Sequence, residues 1–250
     1  MNLFRQLWST AALSTTLLAA LFVAQLAGCT APPGRPRKGS ETLAPDQIMD
    51  FATLYSENCA GCHGPDGRGG AAIALGDPIY LAIADDLAIR NVTTKGVAGT
   101  SMPAFAQSAG GMLAAKQIDV IISEIRSRWS KPGILAGINP PSYAAKSHGN
   151  PTQGAAVFKT YCESCHGPGG RGGPKGSAIT KDAFLELVSD QGLRTVVITG
   201  RPELGAPDWR GNVPGKPMSE LEITDVVAWL ASQRPQIAPP SSSASKSAQH

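Results

Sequence analysis

The stretch CAGCHGPDGRGG at residues 59–70 returns as CESCHGPGGRGG at residues 162–173. A repeat this close restricts the chain to architectures that can be built twice. Adding 103 to the residue number maps Tyr55 onto Phe158, Cys59 onto Cys162, His63 onto His166 and Arg68 onto Arg171. Adding 104 maps Gly96 onto Gly200 and Phe105 onto Trp209, and adding 105 maps Ile118 onto Ile223. The offset drifts slowly and the order is kept. The chain therefore reads as two copies of one unit of about a hundred residues, an ordinary domain size.

Periodicity makes the unit helical. Ile48, Phe51, Leu54 and Tyr55 follow an N-cap candidate at Asp46 with the spacing of one helix face. A second helix is predicted over residues 114–129, with Ile118, Ile121, Ile122 and Ile125 on one stripe. The cycle restarts with a helix running into Cys162. It closes with MSELEITDVVAWLASQ, whose face is Ile223, Val226, Val227 and Leu230. These readings give an all-α chain with domains at 46–130 and 152–234, a linker at 131–151 and a Pro/Ser-rich tail at 235–250. Gly (28) and Pro (20) are abundant, which leaves much of the chain to loops.

Four cysteines form the pairs Cys59/Cys62 and Cys162/Cys165. Two such pairs suit a zinc ribbon, a thiol–disulfide couple or covalent attachment of c-type haem. His63 and His166 follow the pairs directly, although the chain has only 4 His. A zinc ribbon needs neither histidine, and no βαβ pattern accompanies the pairs. Haem attachment is the reading that uses all three residues, with the histidine as an axial ligand to iron. Gly64 and Gly167 come next, where the chain is expected to pass close to the ring. In the first unit, Met102 precedes Pro103 in a Gly-rich loop just before the closing helix, which suits the sixth ligand.

These features make both units resemble class I cytochrome c domains, CAGCHG with MPAF in the first and CESCHG in the second. The resemblance covers about residues 46–129 and 152–234. It implies N- and C-terminal helices packed together, one haem c per domain and so two in the chain, and iron cycling between ferrous and ferric states.

The second unit departs from the pattern at the distal loop. Ala206 falls at the Met102 position, between Gly200 and Pro207. Met218 is the remaining downstream methionine and is kept as a candidate axial ligand. Its competing reading is structural. Ser219 and Glu222 form a capping box, with Met218 stapled on Ile223, and the equivalent residue in the first unit is Leu113. Without Met218, the second iron is open or bound by water, His148 or Lys216. Arg68 and Arg171 are candidates for haem propionates or are solvated loop charges.

Residues 1–28 form a short apolar leader after Arg5, ending in LAGC. This resembles a bacterial lipoprotein signal. It implies cleavage before Cys29, acylation of Cys29, and a tether over 29–45 that lifts the domains off a membrane facing the periplasm or outer surface. Net charge is +3, and no basic run exceeds RPRK, so nucleic acid is not an expected partner. No paired acids or activated nucleophile mark a small-molecule substrate site. The expected role is a lipid-anchored carrier of single electrons between redox partner proteins. The alternative is a haem enzyme, such as a peroxidase or a sulfur-compound dehydrogenase, using an open second iron.

Overall fold

Asp50, rather than Asp46, starts the first helix. Its carboxylate accepts the Thr53 backbone N–H at 2.8 Å and caps α1, Phe51–Asn58. Asp46 lies in a short 3-10 turn, Pro45–Gln47. The computed structural model describes residues 42–235. The expected signal peptide, Cys29, most of the tether and nearly all of the tail lie outside the described residues.

Four helices follow in the first half: α2 (Ala60–His63), α3 (Pro78–Ile83), α4 (Asp86–Lys95) and α5 (Ala115–Trp129). The second half repeats them as α6 (Pro151–Tyr161), α7 (Glu163–His166), α8 (Asp182–Leu187), α9 (Asp190–Thr199) and α10 (Glu220–Ser232). No strand occurs among the described residues, only two isolated bridges. The chain is all-α, and its two halves match helix for helix.

The terminal helices of each half pack together because their apolar stripes face one another. In the first half, Phe51, Leu54 and Tyr55 of α1 share a core with Ile118, Ile121, Ile122 and Ile125 of α5. The Trp129 ring meets Tyr55 edge-on at 5.2 Å. Gln117 is 2% exposed and donates to Pro45 O at 2.8 Å and Ile48 O at 3.0 Å, tying α5 to the start of the half. In the second half, α6 crosses α10 closely. A Cβ on Gly154 would lie 2.0 Å from Asp225 O, and Phe158 stacks on Trp229 at 4.4 Å. The capping box read at Ser219 and Glu222 is present, with bonds of 2.8 and 3.2 Å.

The segment between the halves is built into the structure. Tyr143 meets Tyr80 of α3 edge-on at 6.3 Å. Arg194 of α9 is 2% exposed and donates to Ser142 O, Tyr143 O, Thr224 Oγ1 and Glu220 Oε1. Ile79 of α3 belongs to the second half's core, beside Phe158, Tyr161, Ile198 and Trp209, with Ile134 and Leu135 against it. Among the described residues, no helix is long and apolar enough to cross a membrane.

Candidate functional site

Cys59 sits where the chain turns between helices. It ends α1 and begins α2, with φ −119° and ψ −41°. One helical turn then carries Cys62 and His63, so all three side chains come from a single tight element. Cys162, Cys165 and His166 repeat this on α7. Both histidines are oriented from behind. His63 Nδ1 lies 2.8 Å from Ile73 O, and His166 Nδ1 lies 2.8 Å from Ser177 O. A ring nitrogen bound to a carbonyl carries the proton, which leaves Nε2 with its lone pair for a metal. The donor set thus fits haem c: two thiols for the porphyrin edge and one aimed imidazole for the iron.

The thiols argue against the other readings. All four are free. Burial, then the neighbouring Cys62, pushes the Cys59 thiol up to about 12. Burial, then Cys165, does the same to Cys162, to about 12. A redox-active pair needs a depressed, reactive thiolate. Among the described residues, no three His, Cys, Asp or Glu side chains converge on an ion site, so the two pairs do not form a zinc ribbon.

The surroundings differ between the halves. His63 is 7% exposed, whereas His166 is only half-buried. Burial lowers the His63 pKa, against the opposing Ile73 carbonyl. In the second half, Gly176 leaves room for the ring, since a Cβ there would meet His166 Nδ1 at 2.8 Å.

The glycine after each histidine is required by the chain itself. Gly64 has φ 84° and ψ 156°, and its Cβ would lie 1.7 Å from Arg68 O. The backbone folding back on itself makes this crowding. Arg68 donates through Nη2 to Gly76 O, which fastens the same loop, while Arg171 is exposed.

The distal loops can be matched atom by atom. In the first half, Val97 N donates to Met102 O at 2.9 Å, and Met102 N donates to Thr100 Oγ1 at 3.2 Å. Met102 O would lie 2.7 Å from a Cβ on Gly96. Ala206 O would lie 2.6 Å from one on Gly200. Alanine therefore occupies the Met102 position in the second loop. Leu113 N donates to Phe105 O at 2.7 Å, and Met218 N donates to Trp209 O at 2.9 Å. Met218 thus takes the place of Leu113. It is 3% exposed in the core with Ile223, and its sulfur is 4.0 Å from Asn212 Nδ2. Lys216 lies over the Tyr161 ring at 5.3 Å, and His148 is exposed.

Sequence reasoning missed Ile73, Ser177 and Gly176. The carbonyl acceptors carry no side-chain signature. Gly176, in the run GGPKGS, had a signal in its glycine density.

Comparison with known proteins bears on both halves. The model of the family "cytochrome C oxidase, cbb3-type, subunit III" matches residues 35–119 and again 149–230. A cbb3-type cytochrome c oxidase subunit CcoP from Azospirillum sp. (strain B510) is 28% identical over 131 residues, 48% of this chain and 39% of that protein. The chain thus spans about two-fifths of the length of this curated relative. Among solved structures, the Kuenenia stuttgartiensis reducing HAO-like protein complex contains a chain that aligns at 16% identity and a TM-score of 0.43. That alignment covers 78% of this chain and 100% of the other.

Proposed function

Since the chain belongs to the cbb3-type cytochrome c oxidase subunit III family, with two tandem cytochrome c domains, we propose that it carries single electrons through two covalently held haem c groups. The observation that carries this reading is the repeated Cys-x-x-Cys-His turn with each histidine Nδ1 held by a main-chain carbonyl.

In this reading, Cys59 and Cys62 form the thioether bonds of the first haem, and Cys162 and Cys165 those of the second. His63 and His166 present Nε2 to the irons. When bound there, haem would supply a one-electron ferrous/ferric couple. Met102 would supply the sixth ligand in the first half. The packing of Met218 in the Leu113 place supports a core role over iron ligation, and Ala206, in the Met102 place, would offer the second haem no side-chain ligand. A His/Met pair raises the reduction potential, so the two centres are tuned apart.

Two finer readings belong here. The oxidase subunit named among its relatives points to a membrane oxidase as the redox partner. Acylation of Cys29 would hold the chain on the periplasmic or outer face of a membrane. A second activity, peroxide turnover at the second haem, is favoured by Ala206.

The test is direct. The full chain, matured in a host with haem-attachment machinery, should carry two haems that survive denaturation and are both reversibly reduced. One haem or none, or haem that cannot be reversibly reduced, overturns the proposal. Peroxide turnover would add the second activity, and its absence removes that activity alone.

A further inference from the structure

Arg201 opens the distal loop of the second half, yet its guanidinium reaches the first. Nη2 donates to Gly70 O at 2.7 Å. Gly70 belongs to the loop after His63 and presses on the attachment turn: a Cβ there would lie 2.1 Å from Cys62 O. At its other end, Arg201 is paired with Ala206. Arg201 N donates to Ala206 O at 2.9 Å, and Ala206 N donates to Arg201 O at 3.0 Å. One residue thus spans from the cysteine turn of the first half to the residue standing in the Met102 place of the second.

The contact is built rather than incidental. The Arg201 side chain is only 15% exposed, and its Nε is held by Glu203 Oε1 at 2.5 Å, itself 20% exposed. Arg68, in the first half's loop, and buried Asp77, which caps α3, both act on the Glu203 charge or feel it. Two cations and two carboxylates therefore straddle the junction. The pair is partly shielded, so its charges are screened less than on an open surface.

We infer that Arg201 is a positioning residue that couples the two haem-binding halves, seating the second half's distal loop on the first half's attachment loop. The inference rests on the two-haem reading above. It goes beyond it by making the two redox centres interdependent. A cation held near a haem favours the ferrous state, and a carboxylate favours the ferric state. Arg201 and Glu203 therefore set the first haem's potential in opposite senses. Arg201 also fixes the loop around Ala206, so a change at the second haem is felt at Gly70.

The test uses the full haem-loaded chain and its variants R201A, R201K and E203Q. Covalent haem content is measured first; fewer than two haems defeats the two-haem reading, not the clamp. Hydrogen exchange then reads the clamp independently of any haem. In R201A, residues 64–77 and 200–209 should both exchange faster, while α5 stays protected. Redox titration reads the coupling. R201A should lower the first haem's midpoint, E203Q should raise it, and R201K should recover part of the R201A loss. Unchanged exchange in both loops overturns the clamp. Unchanged midpoints in R201A and E203Q overturn the coupling. Should R201A fail to fold, E203Q keeps the Gly70 bond and still decides the sign.

Discussion

The two imidazoles are aimed by one device in different settings. A carbonyl on Nδ1 fixes the tautomer and ring plane of His63 and of His166, but burial encloses only the first. On the far side, the difference is larger. Met102 stands where the second loop has Ala206, and Met218 fills a core site that the first half gives to Leu113. Methionine-to-iron ligation produces a weak red-edge absorption in the oxidised protein. Its intensity in the full chain should correspond to one haem in two. Met102→Ala should abolish it and lower the higher midpoint, while Met218→Leu should leave it in place. Full intensity for two haems, lost in Met218→Leu, would restore Met218 as a ligand. Gly64 offers a stability test at the same scale. Its backbone lies in a region that only glycine occupies readily, and any Cβ would strike Arg68 O. Gly64→Ala should cost at least about 3 kcal/mol in denaturant unfolding.

Helices with long apolar stripes were legible in the sequence, and short ones were not. Four isoleucines mark α5, and the capping box marks α10, within a residue of the observed starts. By contrast, α3 and α8 span six residues each, too short for a periodic stripe to emerge. Their signals lay in caps. Asp77 before Pro78 is an N-cap followed by proline at the first helical position, and Asp85 caps α4 through Ala88 N. At the candidate site, the cysteines, histidines and the Ala206 departure could be read from residue identity and offset. The carbonyls of Ile73 and Ser177 could not, because a main-chain acceptor has no letter. The packed role of residues 131–151 was hidden for a similar reason. Arg194, which binds that segment, comes from fifty residues further on. Arg194→Ala would leave Ser142 O and Thr224 Oγ1 without the donor they have here, and Tyr143 O with Gln191 Nε2 alone. It should cost about 3 kcal/mol by thermal or denaturant unfolding. The α10 cap adds a pH dependence. Desolvation raises the Glu222 pKa, but its bonds to Ser219 N and Oγ and to Tyr161 outweigh it, so the folded-state value is lowered. A depressed carboxyl stabilises above its unfolded pKa, near 4.3, and loses that stabilisation as pH falls through the folded value. Glu222→Gln should therefore flatten the acid limb of melting temperature against pH below about 4.5.

For the whole molecule, the question is whether two copies of a unit behave as two domains or as one. The repeat would suggest independence, since each half has its own helix pair and its own attachment turn. The packing argues otherwise. Ile79 is 7% exposed, yet the buried cluster it joins is the other half's core, with Phe158, Tyr161, Ile198 and Trp209. The segment carrying Ile134 and Leu135 seals the same junction, and Arg201 binds Gly70 across it. A core completed from outside cannot be fully stable alone. Ile79→Ala should leave a cavity inside the second half although the substitution lies in the first, at a cost of about 2–4 kcal/mol. Hydrogen exchange would show where the loss falls. In Ile79→Ala, α6 and α10 should lose protection before α1 and α5. Ile118→Ala, in the first half's own core at 2% exposure, should do the reverse. Loss confined to α1 and α5 in both variants would mean that the halves fold separately.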